Sequence, residues 1–431
     1  SSGTLSSNLI STTIGSSPNL NGGDGLLVEN CSPGMVEVFE NYFVENLGCA
    51  ITVAASDCTI GRNLIKGTGD FAKEQGKSAG IRISKMSNVE IAYNLITDNT
   101  FSGIRLSGAS GNIHHNSISE TAENYSETAE GGIVINESAF MPEGISHNYL
   151  ANNKTAGIVI SGGHVGTVSH NLVMGTKKTD VQNQAWGIAV HSMTGKIEDN
   201  AVLNNEEGGI MMFSSLGPVK NNLLLNTGNP DQSGAGLYLG SFDDGQVQIS
   251  GNYLDSNYFA GIVMNDVTNY LASNTIRGTG ADKSAGMGIW IQGKSVSEVR
   301  FNKILENHLA GIVAFGVDDL LVSGNHIGDT APSKFGQMDA SISTGIIAVG
   351  GTYATILYNL FSNIEDMAIL LDSSEGILSG NTYFNAGSSP IVLTESSSVE
   401  AEDDDEPEAT WGLTTGPDKP LGGFEFCGTA P

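Results

Sequence analysis

One asparagine context recurs along almost the whole chain and constrains the fold more than any other feature. An aliphatic residue lies three positions before each asparagine and an apolar residue lies two positions after it, as in Ile91, Asn94 and Ile96. A pattern that returns at a regular interval indicates a repeat protein whose units stack on one another. The fifteen asparagines are Asn8, Asn41, Asn63, Asn94, Asn116, Asn148, Asn171, Asn200, Asn222, Asn252, Asn274, Asn302, Asn325, Asn359 and Asn381.

Each repeat also carries a strand of the type Gly-Ile-x-Val, for example Gly157–Ile160 and Gly311–Ala314. Alternation with a period of two places both aliphatic side chains on one face of a strand. Each unit is therefore predicted to contain about three short strands and three turns. Because one coil cannot bury its own apolar face, the coils must stack about 4.8 Å apart.

The repeats alternate between long and short coils. Successive gaps between the asparagines are 33, 22, 31, 22, 32, 23, 29, 22, 30, 22, 28, 23, 34 and 22 residues. The residue five positions after each asparagine is usually threonine in long coils, as at Thr68 and Thr121, and asparagine in short coils, as at Asn99 and Asn153. The structural unit is thus predicted to be a pair of coils. The extra residues of each long coil precede its Gly-Ile-x-Val strand, and they are predicted to form a row of protruding loops.

From Leu5 to Leu393 the sequence resembles the right-handed parallel β-helix superfamily, which includes pectate-lyase-like proteins and carbohydrate-binding or sugar-hydrolase repeats. The resemblance implies an all-β, single-stranded right-handed parallel solenoid of about fifteen coils. It also implies that the recurring asparagines form a ladder inside a tight turn, where stacked amides satisfy buried backbone groups.

Three segments are predicted from the change in composition along the chain. Residues 1–393 form the solenoid, and residues 394–410 form a linker rich in serine and acidic residues. Residues 411–431 form a tail or cap over the C-terminal end. The first coil begins with no capping helix ahead of it, so this open end is expected to meet upstream sequence, another subunit or another domain.

The charge balance restricts the partners. The chain has 19 Lys and Arg against 47 Asp and Glu, giving a net charge of −28. Such a surface repels nucleic acids and anionic membranes, so neither is an expected partner. No stretch approaches the ~20 apolar residues that span a membrane. These features are consistent with an extracellular, cell-surface or periplasmic protein.

The outward residues of the Gly-Ile-x-Val strands are the first place to seek a ligand, because the resembled superfamily usually carries its polysaccharide groove there. From Val134 to Ile347 this face is mainly apolar. The chain's own loops or tail could cover it, a second subunit could pack on it, or sugar rings could stack on its aromatic residues. The expected ligand or interface residues are Arg82, Arg105, His191, Met211, Phe213, Tyr238, Trp290, Gln292 and Phe315.

Catalytic residues are sparse. A lyase of this superfamily would need a basic residue, and Arg105 lies on the expected face. A glycosidase needs two carboxylates, for which Asp243, Asp244 and Asp266 are the candidates. The polygalacturonase pattern is incomplete, since Asp243-Asp244 supplies only its central pair of aspartates, and the Asp-Pro-His motif of alginate epimerases is absent.

No cofactor is required by these patterns, but calcium between the protruding loops is a second hypothesis. Calcium favours several oxygen ligands. Aspartates recur at similar places in four long loops, and these are Asp70, Asp180, Asp231 and Asp282.

Two functions remain open at this stage. The sequence favours a non-catalytic secreted or surface protein, such as a rigid spacer, fibre segment, adhesin or carbohydrate-binding protein, because no coil interrupts the repeat with a polar cluster. The alternative is a polysaccharide lyase or glycoside hydrolase that uses the Gly-Ile-x-Val face as its groove.

Overall fold

The computed structural model describes the chain from residue 2 to residue 402 with gaps. The described ranges are 2–13, 23–31, 34–69, 78–121, 131–136, 139–179, 185–229, 234–240, 246–280, 286–293, 296–332, 342–387, 389–394 and 396–402. Within these ranges the chain forms three parallel sheets of sixteen, fifteen and fifteen strands and contains no helix. The predicted all-β parallel solenoid is confirmed.

Successive strands of the chain visit sheets A, B and C in turn. Sheet A contains Gly3–Ser6, Met35–Phe39, Asp57–Gly61, Asn88–Ala92, Ser110–His114, Phe140–Ser146, His164–Ser169, Thr194–Glu198, Val219–Lys220, Gln246–Ser250, Thr268–Ala272, Val296–Arg300, Asp319–Ser323, Tyr353–Leu357, Glu375–Ser379 and Ser398–Glu402. Sheet B contains Leu9–Ser11, Tyr42–Val44, Leu64–Lys66, Leu95–Thr97, Ser117–Ser119, Tyr149–Ala151, Leu172–Met174, Ala201–Leu203, Leu223–Leu225, Tyr253–Asp255, Thr275–Arg277, Lys303–Leu305, His326–Gly328, Leu360–Ile364 and Thr382–Ala386.

Sheet C is formed by the Gly-Ile-x-Val strands and their equivalents. Its strands are Leu26–Glu29, Ile51–Ala54, Ala79–Ser84, Ser102–Ser107, Gly131–Asn136, Ala156–Ser161, Trp186–His191, Gly208–Phe213, Ala235–Gly240, Ala260–Asn265, Met287–Gln292, Ala310–Phe315, Thr344–Val349, Met367–Asp372 and Ile391–Leu393.

The core consists of columns of aliphatic side chains that point into the solenoid. Ile81, Ile104 and Ile133 pair in register on successive sheet C strands and are completely buried. Full burial of an aliphatic side chain contributes about 1.5–3 kcal/mol. The same inward position recurs in every coil, so the core runs continuously along the axis.

The turn from sheet A to sheet B carries the asparagine ladder. Tyr93 adopts a left-handed conformation (φ 59°) and redirects the chain, so that the side chain of Asn94 points inward. Asn94 Nδ2 donates to Oδ1 of Asn116 in the next coil (2.9 Å), to Ile60 O (3.0 Å) and to Ala92 O (3.1 Å). From Asn41 to Asn381 the ladder asparagines are at most 2% exposed, so their amides satisfy backbone groups that water cannot reach.

The turn from sheet B to sheet C carries a second ladder that explains the coil alternation. The Thr121 backbone N–H (3.3 Å) and hydroxyl (2.7 Å) both donate to Oδ1 of Asn153 in the following short coil. Thr68 bonds Asn99 in the same way, and so does Thr227 with Asn257. In each of these pairs the long coil is therefore bonded to the short coil after it at this turn.

The solenoid continues beyond the boundary predicted at Leu393. Ser398–Glu402 pairs in parallel with Glu375–Ser379 of sheet A, and Val399 packs against the core. The predicted linker therefore includes a strand. Its acidic composition indicated a linker, although its apolar and polar residues alternate as in a strand. Residues 403–410 of the predicted linker and residues 411–431 of the predicted cap lie outside the described residues.

No helix in the described part of the chain is long and apolar enough to cross a membrane.

Candidate functional site

The outward face of sheet C presents two columns of side chains. The middle column holds the x residue of each Gly-Ile-x-Val strand, such as Val159 and Trp290, and the end column holds the residue two positions later, such as Ser161 and Gln292. Neighbouring members of a column lie on hydrogen-bonded strands about 4.8 Å apart. A ligand that followed the solenoid axis would therefore meet successive coils at this spacing.

Most of the middle column is buried. Met211 and Trp290, both expected to contact a ligand, are only 4% and 7% exposed. Val134 is completely buried although it also points outward. These side chains form a second packing layer outside the sheet, so little of their surface is left for the ligand or interface contact expected of Met211 and Trp290.

Residues of the same chain pack on this layer. Phe259 and Leu309 lie in turns from sheet B to sheet C and pack around Trp290, with the Phe259 and Trp290 ring centroids 5.2 Å apart. The Trp186 ring lies directly over Gly208, where a Cβ atom would be 2.1 Å from the ring. Of the three explanations for the apolar strip, coverage by the chain itself therefore fits the middle column.

The end column remains partly accessible and contains aromatic residues next to amides. His191 stacks on Phe213, with centroids 5.5 Å apart and planes 5° from parallel, and Phe213 lies 5.3 Å from Tyr238 of the middle column. A six-member set, called here the aromatic–amide row, spans six successive strands over about 24 Å. It consists of the half-buried residues His191, Phe213, Tyr238, Asn265, Gln292 and Phe315.

Local packing fixes the centre of this row. Gly240 lies in register with Phe213, and its missing side chain leaves room for the Phe213 ring, which a Cβ atom would approach to 2.6 Å. The Tyr238 side chain makes a hydrogen bond with Asn265. Burial raises the pKa of Tyr238, and the nearby Asp266 carboxylate raises it further, so the phenol stays protonated at neutral pH.

The histidine at one end of the row is uncharged at neutral pH. Burial lowers the pKa of His191, because an imidazolium ion loses solvation there. The row therefore combines four aromatic rings, those of His191, Phe213, Tyr238 and Phe315, with neutral hydrogen-bonding groups. Aromatic faces beside amide and hydroxyl groups suit the apolar and polar faces of a sugar ring.

The two arginines expected on this face lie near its N-terminal end. Arg82 forms an ion pair with the buried Asp24 (3.7 Å), whose other carboxylate oxygen accepts the Cys49 N–H (2.8 Å). Arg105 Nη2 donates a hydrogen bond to the side-chain oxygen of Asn136 (3.1 Å) when the Asn136 amide is oriented to satisfy both of its polar atoms. Both arginines are thus engaged within the chain.

The fold does not bring the catalytic candidates together. Arg105 and Asp266 are separated by six strand spacings along the solenoid, or about 29 Å. Arg105 was the candidate for a lyase and Asp266 a candidate for a glycosidase, so the two hypotheses fall on different parts of the face. Asp243 and Asp244 lie outside the described residues.

The calcium hypothesis also falls on residues that the structure does not describe, since Asp70, Asp180, Asp231 and Asp282 all lie in the gaps. Among the described residues, no group of three or more His, Cys, Asp or Glu side chains converges on a metal position. Calcium therefore remains a prediction.

Sequence reasoning did not single out Asn265 as a partner of Tyr238 or Trp186 as part of the outer layer. The available signal for Asn265 was its place in the end column, one coil after Tyr238. Trp186 occupies a position that is alanine or glycine in several neighbouring coils, and this exception marks the start of an outer cluster.

A family model described as a right-handed β-helix region matches residues 1–173, 180–276 and 241–405. No curated protein matches.

Three solved structures illustrate the fold similarity. A double mutant of the periplasmic alginate epimerase AlgG is 13% identical (TM-score 0.43, covering 87% of this chain and 79% of that one). Tailspike protein 3 of bacteriophage CBA120 is 8% identical (TM-score 0.48, covering 85% and 56%). The A-module of the Azotobacter vinelandii mannuronan C-5 epimerase AlgE4 is 13% identical (TM-score 0.45, covering 85% and 91%). These similarities describe the fold and carry no information about activity.

Proposed function

Because the chain belongs to the right-handed β-helix family, we propose that it is a non-catalytic secreted or cell-surface protein that binds a polysaccharide along the aromatic–amide row. The observation that carries the proposal is the contiguous set of His191, Phe213 and Tyr238 rings, followed by Asn265 and Gln292 on the next two strands. The rings supply stacking surfaces, and the amides both donate and accept hydrogen bonds.

The charge of the row favours a neutral or weakly charged polymer. Tyr238 and His191 are uncharged at neutral pH, and the carboxylate beside Tyr238 is Asp266. A strongly anionic chain would meet this carboxylate and the surrounding charge of −28. The sheet suits an extended polymer, because equivalent positions repeat in each coil.

The absence of catalysis is supported by the engagement of Arg105 with Asn136 and by the raised pKa of Tyr238, which disfavours its use as a base. The rigid solenoid then acts as a spacer that holds the row at a fixed distance from its attachment. Calcium is not needed for this mode of binding, and the polymer or other subunits are the expected partners.

One observation favours a second function. Asp266 lies next to the Tyr238–Asn265 pair and could act as one carboxylate of a polysaccharide-processing enzyme. In that case the row would position the chain for cleavage, and the released fragments would be detectable.

Affinity electrophoresis in gels containing neutral or acidic polysaccharides tests the proposal. We expect retardation by one neutral polymer, and we expect the Phe213→Ala/Tyr238→Ala variant to lose most of it. Tyr253→Ala is the matched control, because Tyr253 is an exposed tyrosine on sheet B. Equal retardation of the row variant and the unmodified protein would exclude this face as the binding site.

Mass spectrometry of the same mixtures, with and without calcium, separates the two functions. The binding function predicts no released oligosaccharide. Release that disappears in Asp266→Asn would establish the enzyme instead.

A further inference from the structure

A second concave site lies away from sheet C, on the turns that lead from sheet B to sheet C. It is a trough of about 620 Å³ that spans four consecutive coils, from Gly175 to Tyr258. At about 4.8 Å per coil its floor is about 14 Å long. The side chains that matter for binding are Lys177, Asn204, Glu206, Asn226, Ser256 and Tyr258.

The exposed column that forms the edge of the trough changes character there. This column contains the residue four positions after each ladder asparagine, and all of its members have left-handed backbone conformations. Carboxylates occupy it at Asp98 and Glu120 before the trough and at Glu306 and Asp329 after it. Between them the column contains no acid, in a chain of net charge −28, and its members are Asn152, Gly175, Asn204, Asn226, Ser256 and Gly278.

The two amides at the centre of this column differ from the others in their bonding. Asn152 donates to Glu120 (2.8 Å), Asn363 donates to Asp329 (2.9 Å) and Asn385 donates to Asn363 (3.1 Å). The side chains of Asn204 and Asn226 lie on adjacent coils and are exposed, yet neither bonds another described residue. Their donors and acceptors are available to a ligand.

The backbone beneath these amides is fixed. Asn204 N–H donates to Leu225 O (2.9 Å), Asn226 N–H donates to Asp255 O (3.1 Å) and Tyr258 N–H donates to Thr227 O (3.1 Å). Glu206 is held by the Lys178 N–H, which donates to Oε2 (2.7 Å). A site with a fixed backbone loses little entropy when a ligand binds.

We propose that this trough binds a short neutral oligosaccharide, independently of the row on sheet C. An amide donates and accepts, so it can bond both partners of a hydroxyl pair, whereas the carboxylates found elsewhere in the column only accept. Tyr258 adds an aromatic ring at one end, and Lys177 with Glu206 adds one charge of each sign. The spacing of the coils lets successive sugar units meet successive amides.

Titration calorimetry and saturation-transfer NMR with cellotetraose, xylotetraose and maltotetraose test this site, with tetragalacturonate as an anionic probe. We expect one neutral tetrasaccharide to bind. The Asn204→Ala/Asn226→Ala variant should bind it about tenfold more weakly or worse, because two hydrogen-bonding groups are removed. Asn363→Ala, in the same column but outside the trough, should bind normally.

Two further measurements distinguish binding at the trough from binding at the aromatic–amide row. The Phe213→Ala/Tyr238→Ala variant should bind the tetrasaccharide normally, and the circular dichroism spectrum of every variant at the assay temperature should match that of the unmodified protein. The trough proposal is overturned if no neutral probe binds at millimolar concentration, if only tetragalacturonate binds, or if the Asn204→Ala/Asn226→Ala variant retains full affinity.

Discussion

The two ladder turns of each coil differ in how their buried polar side chains are hydrogen-bonded from coil to coil. At the turn from sheet A to sheet B, every ladder asparagine bonds the next one, as Asn171 Nδ2 does with Asn200 (3.0 Å) and Asn200 Nδ2 with Asn222 (3.0 Å). At the turn from sheet B to sheet C, Thr121 bonds Asn153, but Asn153 makes no side-chain bond to Thr176 of the following coil. The first ladder is continuous and the second is made of pairs.

The difference shows why coil lengths alternate. A threonine side chain is too short to extend the chain of amides, so the paired ladder is interrupted once in every two coils. Each long coil has its additional residues at this same turn, between sheets B and C. The paired ladder is also less complete, since the buried Nδ2 groups of Asn99, Asn205 and Asn307 have no hydrogen-bond partner among the described residues. The continuous ladder therefore sets the stacking of the coils, and the paired ladder tolerates insertions.

The largest effect is expected from breaking the continuous ladder. Asn200→Ala removes the acceptor of the Asn171 N–H and Nδ2 groups and three bonds donated by Asn200 itself. Several buried polar groups lose their partners, so we expect the free energy of unfolding to fall by about 3–5 kcal/mol. Equilibrium urea unfolding followed by circular dichroism measures this change, and a loss below that of a paired-ladder variant would contradict the ranking of the two turns.

A smaller loss is expected in the paired ladder. Asn153→Ala removes the acceptor of the Thr121 hydroxyl and N–H and the bond from Asn153 to Ile118 O (3.2 Å). The disturbance ends within one pair of coils, so we expect a loss of about 1–2 kcal/mol in the same urea experiment. A loss equal to that of Asn200→Ala would show that the second ladder is as important as the first.

The sequence predicted the ladders and the three-strand coil because these depend on local periodicity. It did not predict which outward residues are accessible, since the burial of Met211 and Trp290 depends on Phe259, Leu309 and other residues from neighbouring coils. The strand Ser398–Glu402 was missed for a related reason, because it contains two glutamates and is followed in the sequence by four acidic residues, and only pairing with sheet A identifies it.

Histidines on the outer side of the continuous ladder make the stability of the fold depend on pH. His115, His147 and His170 stack in parallel planes, with centroids 4.9 and 4.8 Å apart, and His114 bonds Glu90 (3.4 Å) beside them. Loss of solvation beside its stacked neighbours lowers the pKa of the exposed His147, and positive charge on the neighbouring histidines lowers it further. The folded chain then binds fewer protons than the unfolded chain, so this stability is fully present above the ordinary pKa of about 6.5 and is lost as the pH falls from there through the lower pKa of the folded chain.

Thermal midpoints of His147→Asn at about pH 7.5 and 5.5 measure this contribution. Asparagine tolerates the left-handed conformation of this position (φ 55°), so the fold should be retained. We expect the midpoint of the variant to fall less on acidification than that of the unmodified protein. His164→Asn, outside the stacked column, should leave the difference unchanged, and an identical response of both variants would contradict the explanation.

The smallest effect is expected one residue away from the second ladder, where the side chain points outward. Asn152 precedes the buried Asn153, has a left-handed conformation (φ 53°) and donates one exposed hydrogen bond to Glu120 (2.8 Å). Asn152→Gly keeps the backbone conformation accessible, so we expect the free energy of unfolding to change by no more than about 0.5 kcal/mol. Measured beside Asn153→Ala, this variant separates the inward amide from the turn itself. A loss as large as that of Asn153→Ala would mean that turn conformation, rather than the paired hydrogen bonds, holds sheets B and C together.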